Sequence, residues 1–237
     1  MSSGNGRRPR IALFDIDGTL LWSDGAGRRA IHTALRAVFG GIGPAQHRFD
    51  GKTDKQIVRE LMRHEGHDDT VIDERMEALL GRYVSELDRE LRDPAHPPRR
   101  LPGVLELLDA LEARDDVVLG LLTGNLAEGA AAKLRAVGID PARFVVAAYG
   151  SDHEDRPELP SIALQRACQL LGADVAGADV VVIGDTPADM TCGRGIGARA
   201  IGVATGRYRV EELLEHGAHA AFADLTDTVS IVGAITR

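Results

Sequence analysis

Apolar and polar residues follow two rhythms along this chain. One is a short, nearly continuous apolar run closed by glycine or a polar residue. Residues 11–16, 117–122, 144–148, 180–183, 200–203 and 220–223 follow it. Runs this short, flanked by such residues, predict strands rather than helices. The other rhythm spaces apolar side chains three and four apart. Residues 25–39 carry Ala26, Ala30, Ile31, Ala34, Leu35 and Val38 in that spacing, and Gly40-Gly41-Ile42-Gly43-Pro44 stops the helix. Residues 53–63, capped by Thr53 or Asp54, and residues 70–91 repeat the pattern. Asp93-Pro94-Ala95-His96-Pro97-Pro98-Arg99-Arg100 reads as a linker, because proline blocks helix continuation and biases its predecessor to extended geometry. Beyond it, helices over 104–113, 127–137, 161–171, 188–192 and 210–214 alternate with the strands. Strands apolar on both faces, separated by helices, predict an α/β fold with a parallel sheet covered by helices. The core is then built from residues 1–21 and 100–237, and residues 22–99 form an all-helical insert. No internal repeat is visible.

Composition narrows the class. The 237 residues are 44% hydrophobic and 27% charged, which excludes a fibre, a disordered tail or a low-complexity array. Two cysteines, Cys168 and Cys192, exclude a disulfide framework and read as small apolar residues in a reducing compartment. The net charge of −8 argues against a duplex nucleic-acid binder, which needs a basic face. An anionic ligand must then be attracted by local groups rather than by the global field. Only Lys52, Lys55 and Lys133 are lysines, a bias we read as compositional. No run approaches the ~20 apolar residues of a membrane span. Arg7, Arg8 and Arg10 precede an apolar run that ends at Asp15, too short for a secretory signal, so a cytoplasmic protein is expected.

Chemistry concentrates where the predicted strands end. In open α/β sheets ligands bind outside the carboxyl ends of the strands. The first strand runs into Asp15-Ile16-Asp17-Gly18-Thr19, the second into Thr123-Gly124-Asn125, and a later one into Gly184-Asp185-Thr186-Pro187-Ala188-Asp189; Arg156-Pro157 follows the third. Carboxylates gathered at one edge repel each other and call for a cation between them. An all-oxygen donor set suits Mg²⁺. Thr123 and Arg156 offer a hydroxyl and a permanent charge to phosphoryl oxygens, and a carboxylate can serve as a covalent nucleophile. The residues therefore suggest Mg²⁺-assisted phosphoryl chemistry. Each also has a plainer reading. Asp17-Gly18 suits a turn, Asn125 suits a helix cap, and Arg156 sits among Glu154, Asp155 and Glu158 as a solvated charge would.

Taken together, Asp15-Ile16-Asp17-Gly18-Thr19-Leu20, Thr123, Arg156-Pro157 and Gly184-Asp185-Thr186-Pro187-Ala188-Asp189 resemble, in order and spacing, the four motifs of the haloacid-dehalogenase-like hydrolases. The insert between the first two motifs resembles the phosphoglycolate-phosphatase and β-phosphoglucomutase-like branch. The resemblance implies a Rossmann-like core, a mobile four-helix cap and a Mg²⁺-dependent phosphatase acting on a small phosphorylated metabolite. Carried over, Asp15 is the nucleophile and Asp17 the acid and base. Asp15, the Asp17 carbonyl and Asp185 hold the metal, with Asp189 orienting its shell. Thr123, Gly124, Asn125 and Arg156 hold the phosphoryl group. The dehalogenases lack an acid at the position of Asp17, so phosphate rather than halide is implied. The third motif more often carries lysine than arginine.

Gly51-Lys52-Thr53-Asp54 is either a plain loop with a helix cap or, by the same resemblance, a loop whose Lys52 and Thr53 select the substrate. A phosphomutase is the nearest alternative function. A phosphonate-cleaving enzyme using Lys52 or Lys55, and a non-catalytic regulatory module, are more distant ones. Gly195-Ile196-Gly197-Ala198-Arg199-Ala200 fits a glycine-rich dinucleotide pattern but precedes a strand instead of opening a helix, which discounts it. His64, His67 and Asp68 read as an exposed loop rather than a metal site.

Overall fold

The computed structural model describes residues 9–237; residues 1–8, with Arg7 and Arg8, lie outside the described residues. The chain runs β1 (Arg10–Phe14), β2 (Leu21–Trp22), α1 (Ala26–Phe39), α2 (Asp54–His64), α3 (Asp69–Glu90), β3 (Arg99–Arg100), α4 (Val104–Glu112), β4 (Val117–Thr123) and α5 (Ala127–Ala136). It continues through β5 (Val146–Tyr149), α6 (Leu159–Leu171), β6 (Val180–Gly184), α7 (Pro187–Cys192), β7 (Arg199–Val203), α8 (Val210–Glu215), β8 (Ala220–Phe222) and α9 (Thr228–Thr236). Six strands form one sheet in the order β5-β4-β1-β6-β7-β8, and every pairing is parallel.

The continuous apolar character of β1 follows from its place in that sheet. Ala12 and Phe14 enter one hydrophobic cluster with α4 residues Leu107, Leu108 and Leu111. Ile11 and Leu13 enter another with Leu159, Ala163 and Ala167 of α6. Both faces are covered, so neither set of alternating positions is polar. β1 is flanked by β4 and β6. The chain after β1 goes to β4 on one side and returns through β6 on the other, which opens the crevice at a topological switch point.

The insert has its own apolar cluster. Ala30, Ile31, Ala34 and Leu35 of α1 meet Ile57, Val58, Leu61 and Met62 of α2 and Ile72, Leu79, Tyr83 and Leu87 of α3. The alanine stripe lets α1 lie close along α3. Three helices form the insert, not four; residues 40–53, with Gly40, Gly41, Gly43, Pro44 and Gly51, contain none. Two further corrections concern the sequence expectation. The end of the expected linker is paired: Leu21 and Trp22 face Arg100 and Arg99 in an antiparallel ladder, and the Leu101 N–H donates to the Leu20 carbonyl at 3.1 Å. Extended Arg99-Arg100, placed by Pro97-Pro98, supplies that edge. Helix α9, capped by Asp227 on Ser230 N–H, was not expected; it packs Ile231 and Ile235 into the core. No described helix is long and apolar enough to cross a membrane.

Leu79→Ala, at a fully buried insert position, should destabilise the protein by about 2–5 kcal/mol through a cavity. Urea unfolding checks this, and a loss below about 1 kcal/mol would mean the insert cluster is loosely packed.

Candidate active site

β1 and β6 lie side by side, with Phe14 opposite Ile183 and the Asp15 N–H donating to the Ile183 carbonyl at 2.8 Å. This register carries Asp15 and Asp185 to the same sheet edge. Asp189 follows on α7, whose first turn is closed by a reciprocal cap. The Thr186 hydroxyl and N–H donate to Asp189 Oδ2 at 2.7 and 3.0 Å, and the Asp189 N–H returns to Thr186 Oγ1. Asp15, Asp185 and Asp189 each offer an oxygen within 4.8 Å of the others, and all three are buried. Gly18, at φ 82°, makes this packing possible: a Cβ there would stand 2.3 Å from Asp185 Oδ2.

One cation is built into this cluster. Arg156, buried at 4% exposure, pairs with Asp189 Oδ1, stands 3.2 Å from Asp15 Oδ1, and reaches the Leu122 carbonyl. It is not the solvated charge of the plainer sequence reading. One guanidinium among three carboxylates leaves the cluster acidic. Burial, opposed by Arg156 and reinforced by Asp189 and Asp17, pushes the Asp15 carboxyl up to about 6. Burial, with Asp189 and Asp15 adding repulsion, raises Asp185 well above the ordinary carboxylate range. Buried oxygen donors with a deficit of positive charge fit a hard divalent cation such as Mg²⁺.

Asp17 stands two residues on, half-buried, in a separate network. Burial alone would raise its carboxyl, but Lys133, Asn125 and Ser23 outweigh that and hold it below the ordinary range. Lys133 Nζ lies 2.6 Å from Asp17 Oδ2 and 2.6 Å from Asn125 Oδ1. The Asn125 amide donates to Asp17 Oδ2 at 2.9 Å and to Thr123 Oγ1 at 2.8 Å, and the Ser23 hydroxyl donates to Asp17 Oδ1 at 3.0 Å. Asn125, expected at the phosphate, lines the crevice, and its side chain braces Asp17. Lys133, 4% exposed, was missed by the sequence reading. The available signal was its register: it lies with Gly129, Ala130 and Leu134 on the buried face of α5. A lysine on such a face requires a buried anion.

The insert closes onto these residues. The Asp54 N–H donates to the Gly124 carbonyl at 2.8 Å, and Asp54 Oδ2 accepts from the Leu126 N–H at 2.9 Å. The Thr53 hydroxyl donates to the Glu154 carbonyl at 2.6 Å and accepts from the Gln56 N–H at 3.1 Å, and Lys55 Nζ donates to the Ser151 carbonyl at 2.9 Å. A Cβ on Gly124 would stand 2.1 Å from the Lys52 carbonyl, so glycine is what lets the surfaces meet. Lys52 and Thr53, the expected substrate-selecting pair, both meet partners within the chain. Thr53 is fully buried as a latch and helix cap, and the Lys52 ammonium pairs with Glu60, although Lys52 still lines the crevice. A cavity of about 410 Å³ lies between insert and core, with Asp15, Asp17, Thr123, Gly124, Asn125, Arg156 and Asp185 along its core side. Thr123 is fully buried beneath it. Residues 195–200 lead into β7, and His67 packs against Phe39. Cys192 is buried against the acid cluster, its Sγ 3.6 Å from the Asp189 carbonyl, and burial pushes its thiol up to about 12.

A family model described as haloacid dehalogenase-like hydrolase matches residues 12–194. Among curated proteins no sequence matches the chain. Solved structures resemble it over nearly its whole length. A hydrolase from Pseudomonas syringae is 26% identical at a TM-score of 0.74, covering 95% of this chain and 99% of that one. CbbY from Rhodobacter sphaeroides, in complex with phosphate, is 22% identical at 0.67, covering 92% and 96%. A predicted phosphoglycolate phosphatase from Haemophilus somnus is 19% identical at 0.69, covering 96% and 100%.

Two outcomes follow from the buried charges. Burial, partly offset by Lys133 and the Leu126 N–H, pushes the Asp54 carboxyl from 3.8 to about 6 in the folded chain. The folded state then binds this proton more tightly than the unfolded state. Asp54 therefore contributes stability that is full below about pH 4 and is lost as pH rises through about 6, by up to roughly 3 kcal/mol. Asp54→Asn keeps an oxygen for Leu126 and should flatten that dependence, as urea unfolding at acidic and neutral pH would reveal; an unaltered slope would contradict the assignment. Lys133→Met removes the brace from Asp17 and should lower kcat about tenfold to a hundredfold with a smaller effect on KM. Steady-state kinetics on the folded variant decides this, and an unchanged kcat would dismiss Lys133 from the site.

Proposed function

The chain belongs to the haloacid dehalogenase-like hydrolases, and we propose that it is a Mg²⁺-dependent phosphatase that hydrolyses a small phosphorylated metabolite through a phosphorylated Asp15. The observation that carries this reading is the buried cluster of Asp15, Asp185 and Asp189 within 4.8 Å, with Arg156 3.2 Å from Asp15. Asp15, the Asp17 carbonyl and Asp185 would hold Mg²⁺, with Asp189 behind them. When bound, the ion neutralises phosphoryl oxygens and so reduces their repulsion of an attacking carboxylate.

The remaining chemistry belongs to the chain. An Asp15 carboxylate oxygen attacks phosphorus and the ester P–O bond breaks. The leaving oxygen takes a proton from Asp17. Water then attacks the phosphorus of phosphorylated Asp15 and gives its proton to Asp17, which frees Asp15 and inorganic phosphate. Lys133, Asn125 and Ser23 fix the Asp17 carboxylate and favour its ionised form, the form the second step needs; the proton that Asp17 relays to the leaving oxygen in the first step arrives with the monoanionic phosphate of the substrate, whose second pKa is about 6. Thr123 and Arg156 orient the phosphoryl group from below. The closed insert keeps bulk water away during transfer. A phosphomutase would use the same first step and return the phosphoryl group to its substrate.

Asp15→Asn should leave the fold intact and reduce phosphate release from phosphorylated metabolites to below about a hundredth of the wild-type rate. Chelation should abolish the wild-type activity and Mg²⁺ restore it. Ca²⁺ should substitute poorly, since it takes longer bonds and more ligands. Steady release of inorganic phosphate supports the hydrolase; interconversion of phosphorylated isomers with little release would identify a mutase instead. Retained activity in the Asn variant would remove Asp15 as nucleophile.

A further inference from the structure

Strand β7 ends at the same carboxyl edge as the acids, yet the loop that leaves it holds none of the residues assigned to the transfer. That loop is anchored on both sides of one residue. The Thr205 hydroxyl donates to the Gly18 carbonyl at 2.5 Å. A Cβ on Gly206 would stand 1.8 Å from Asp185 Oδ2, so the backbone there lies against the acid cluster. On the far side the Tyr208 oxygen accepts from Arg48 of the insert at 2.7 Å. Arg207, between these anchors, lines the cavity with an exposed side chain. Its guanidinium has no hydrogen-bond or ion-pair partner among the described residues.

Three other cations of the cavity are spoken for. Arg156 pairs with Asp15 and Asp189, Lys133 with Asp17, and Lys52 with Glu60. Arg28 differs from them. Among the described residues it has no carboxylate within ion-pair distance; it lies over the Phe49 ring, 3.8 Å from the centroid, and donates to the Ala45 and His47 carbonyls at 3.4 and 2.9 Å. Asp50 is the one carboxylate lining the cavity outside the acid cluster and the network of Asp17 and Asp54, and Arg48 holds it at 3.3 Å. This wall thus sets Arg28, Arg48 and Arg207 against a single carboxylate, in a chain whose net charge is −8. A free guanidinium beside a cavity is a planar fork that fits an oxyanion, carboxylate or phosphate alike. At about 410 Å³ the space falls among small-molecule sites, which run from about 300 to 1,000 Å³, so a substrate can extend beyond the phosphoryl group to reach it.

Resting on the phosphatase reading above, we propose that Arg207 determines specificity by binding a second anionic group on the substrate. The substrate is then a phosphate monoester whose alcohol carries a further oxyanion, carboxylate or phosphate, at its far end. The transferred phosphoryl group stands on Asp15 and Arg156. The second oxyanion meets the Arg207 fork, and Arg28 adds its charge from the insert. The insert, joined to Tyr208 through Arg48, excludes water from this pair and so strengthens it.

Three esters that share a three-carbon chain and differ in the far group test this: propyl phosphate, 2-carboxyethyl phosphate and propane-1,3-diyl bisphosphate, each assayed with Mg²⁺. We expect kcat/KM for one of the two doubly anionic esters to exceed that for propyl phosphate by at least about tenfold, the worth of one charged hydrogen bond. Which of the two leads identifies the far group as carboxylate or phosphate. Arg207→Ala should erase the preference, mostly through KM, and leave propyl phosphate turnover unchanged. Arg207→Lys, which keeps the charge but not the fork, should retain part of it. A parallel loss on all three esters in Arg207→Ala would put Arg207 on the transferred phosphoryl group and overturn the proposal. A wild-type enzyme that turns over propyl phosphate as well as the other two overturns it too and leaves the phosphatase standing. If no ester turns over, binding of the stable analogues butylphosphonate, 4-phosphonobutyrate and pentane-1,5-diylbisphosphonate decides, followed by fluorescence of Trp22, the single tryptophan, which also lines the cavity. Binding of either doubly anionic analogue at least about tenfold tighter than butylphosphonate, with the gap lost in Arg207→Ala, overturns the phosphatase reading and leaves the anion site standing. Equal binding of the three overturns both.

Discussion

Negative charge crowds the carboxyl edge of the sheet, and the surrounding structure answers it. Asp15, Asp185 and Asp189 meet there, and Asp17 and Asp54 stand close by. Two buried cations face them. Arg156 sits between Asp15 and Asp189, and Lys133 sits against Asp17. Removing charges from water is expensive unless they are paired and hydrogen-bonded. That cost explains why Asp189 is held twice, by Arg156 and by the first turn of α7. It also explains why the Asp15 and Asp185 carboxyls lie above their ordinary range while Asp17 lies below it. The two neighbouring acids of the first motif are thereby separated in character. One stays with an unmet demand for a cation, and the other is held ionised by a lysine.

The insert shares in that arrangement. Ser23, just after β2, donates to Asp17, and Asp54 at the start of α2 accepts from Leu126 beside α5, the helix that carries Lys133. Gly124 joins the two, since its carbonyl receives the Asp54 N–H and its missing side chain leaves room for Lys52. Closing the insert and bracing Asp17 are thus parts of one hydrogen-bonded network. The β2–β3 ladder ties both chain crossings together at the base of this closure. It also sets Trp22 at the rim of the cavity.

Much of the core was legible because its signals are local. A strand buried on both faces must be apolar at successive positions, and β1, β4, β6 and β7 were found from that alone. The helices of the insert declared themselves by spacing and by the glycines and prolines that end them. Elements with weak local signals were lost. β2 and β3 have two residues each, too few for any period, and exist because the two crossings lie side by side. Helix α9 has apolar residues on several sides, which blurs its period.

The acids followed the same division. Their positions after strands place Asp15, Asp17, Asp185 and Asp189 at one edge, because a parallel sheet brings all its carboxyl ends together. The partners of those acids were not legible in the same way. Lys133 lies 116 residues from Asp17, and nothing in the local sequence of either names the other. Asn125 and Thr53 are of types that suit a ligand equally well, and only the fold shows their polar atoms meeting Asp17 and Glu154. The sequence alone determined the α/β core, the helical insert and which acids stand at the carboxyl edge of the sheet, since those depend on periodicity and chain order. Tertiary structure decided which buried charges neutralise one another and what lines the space above them. Electrostatic pairing and cavity shape depend on distances between segments far apart in the chain.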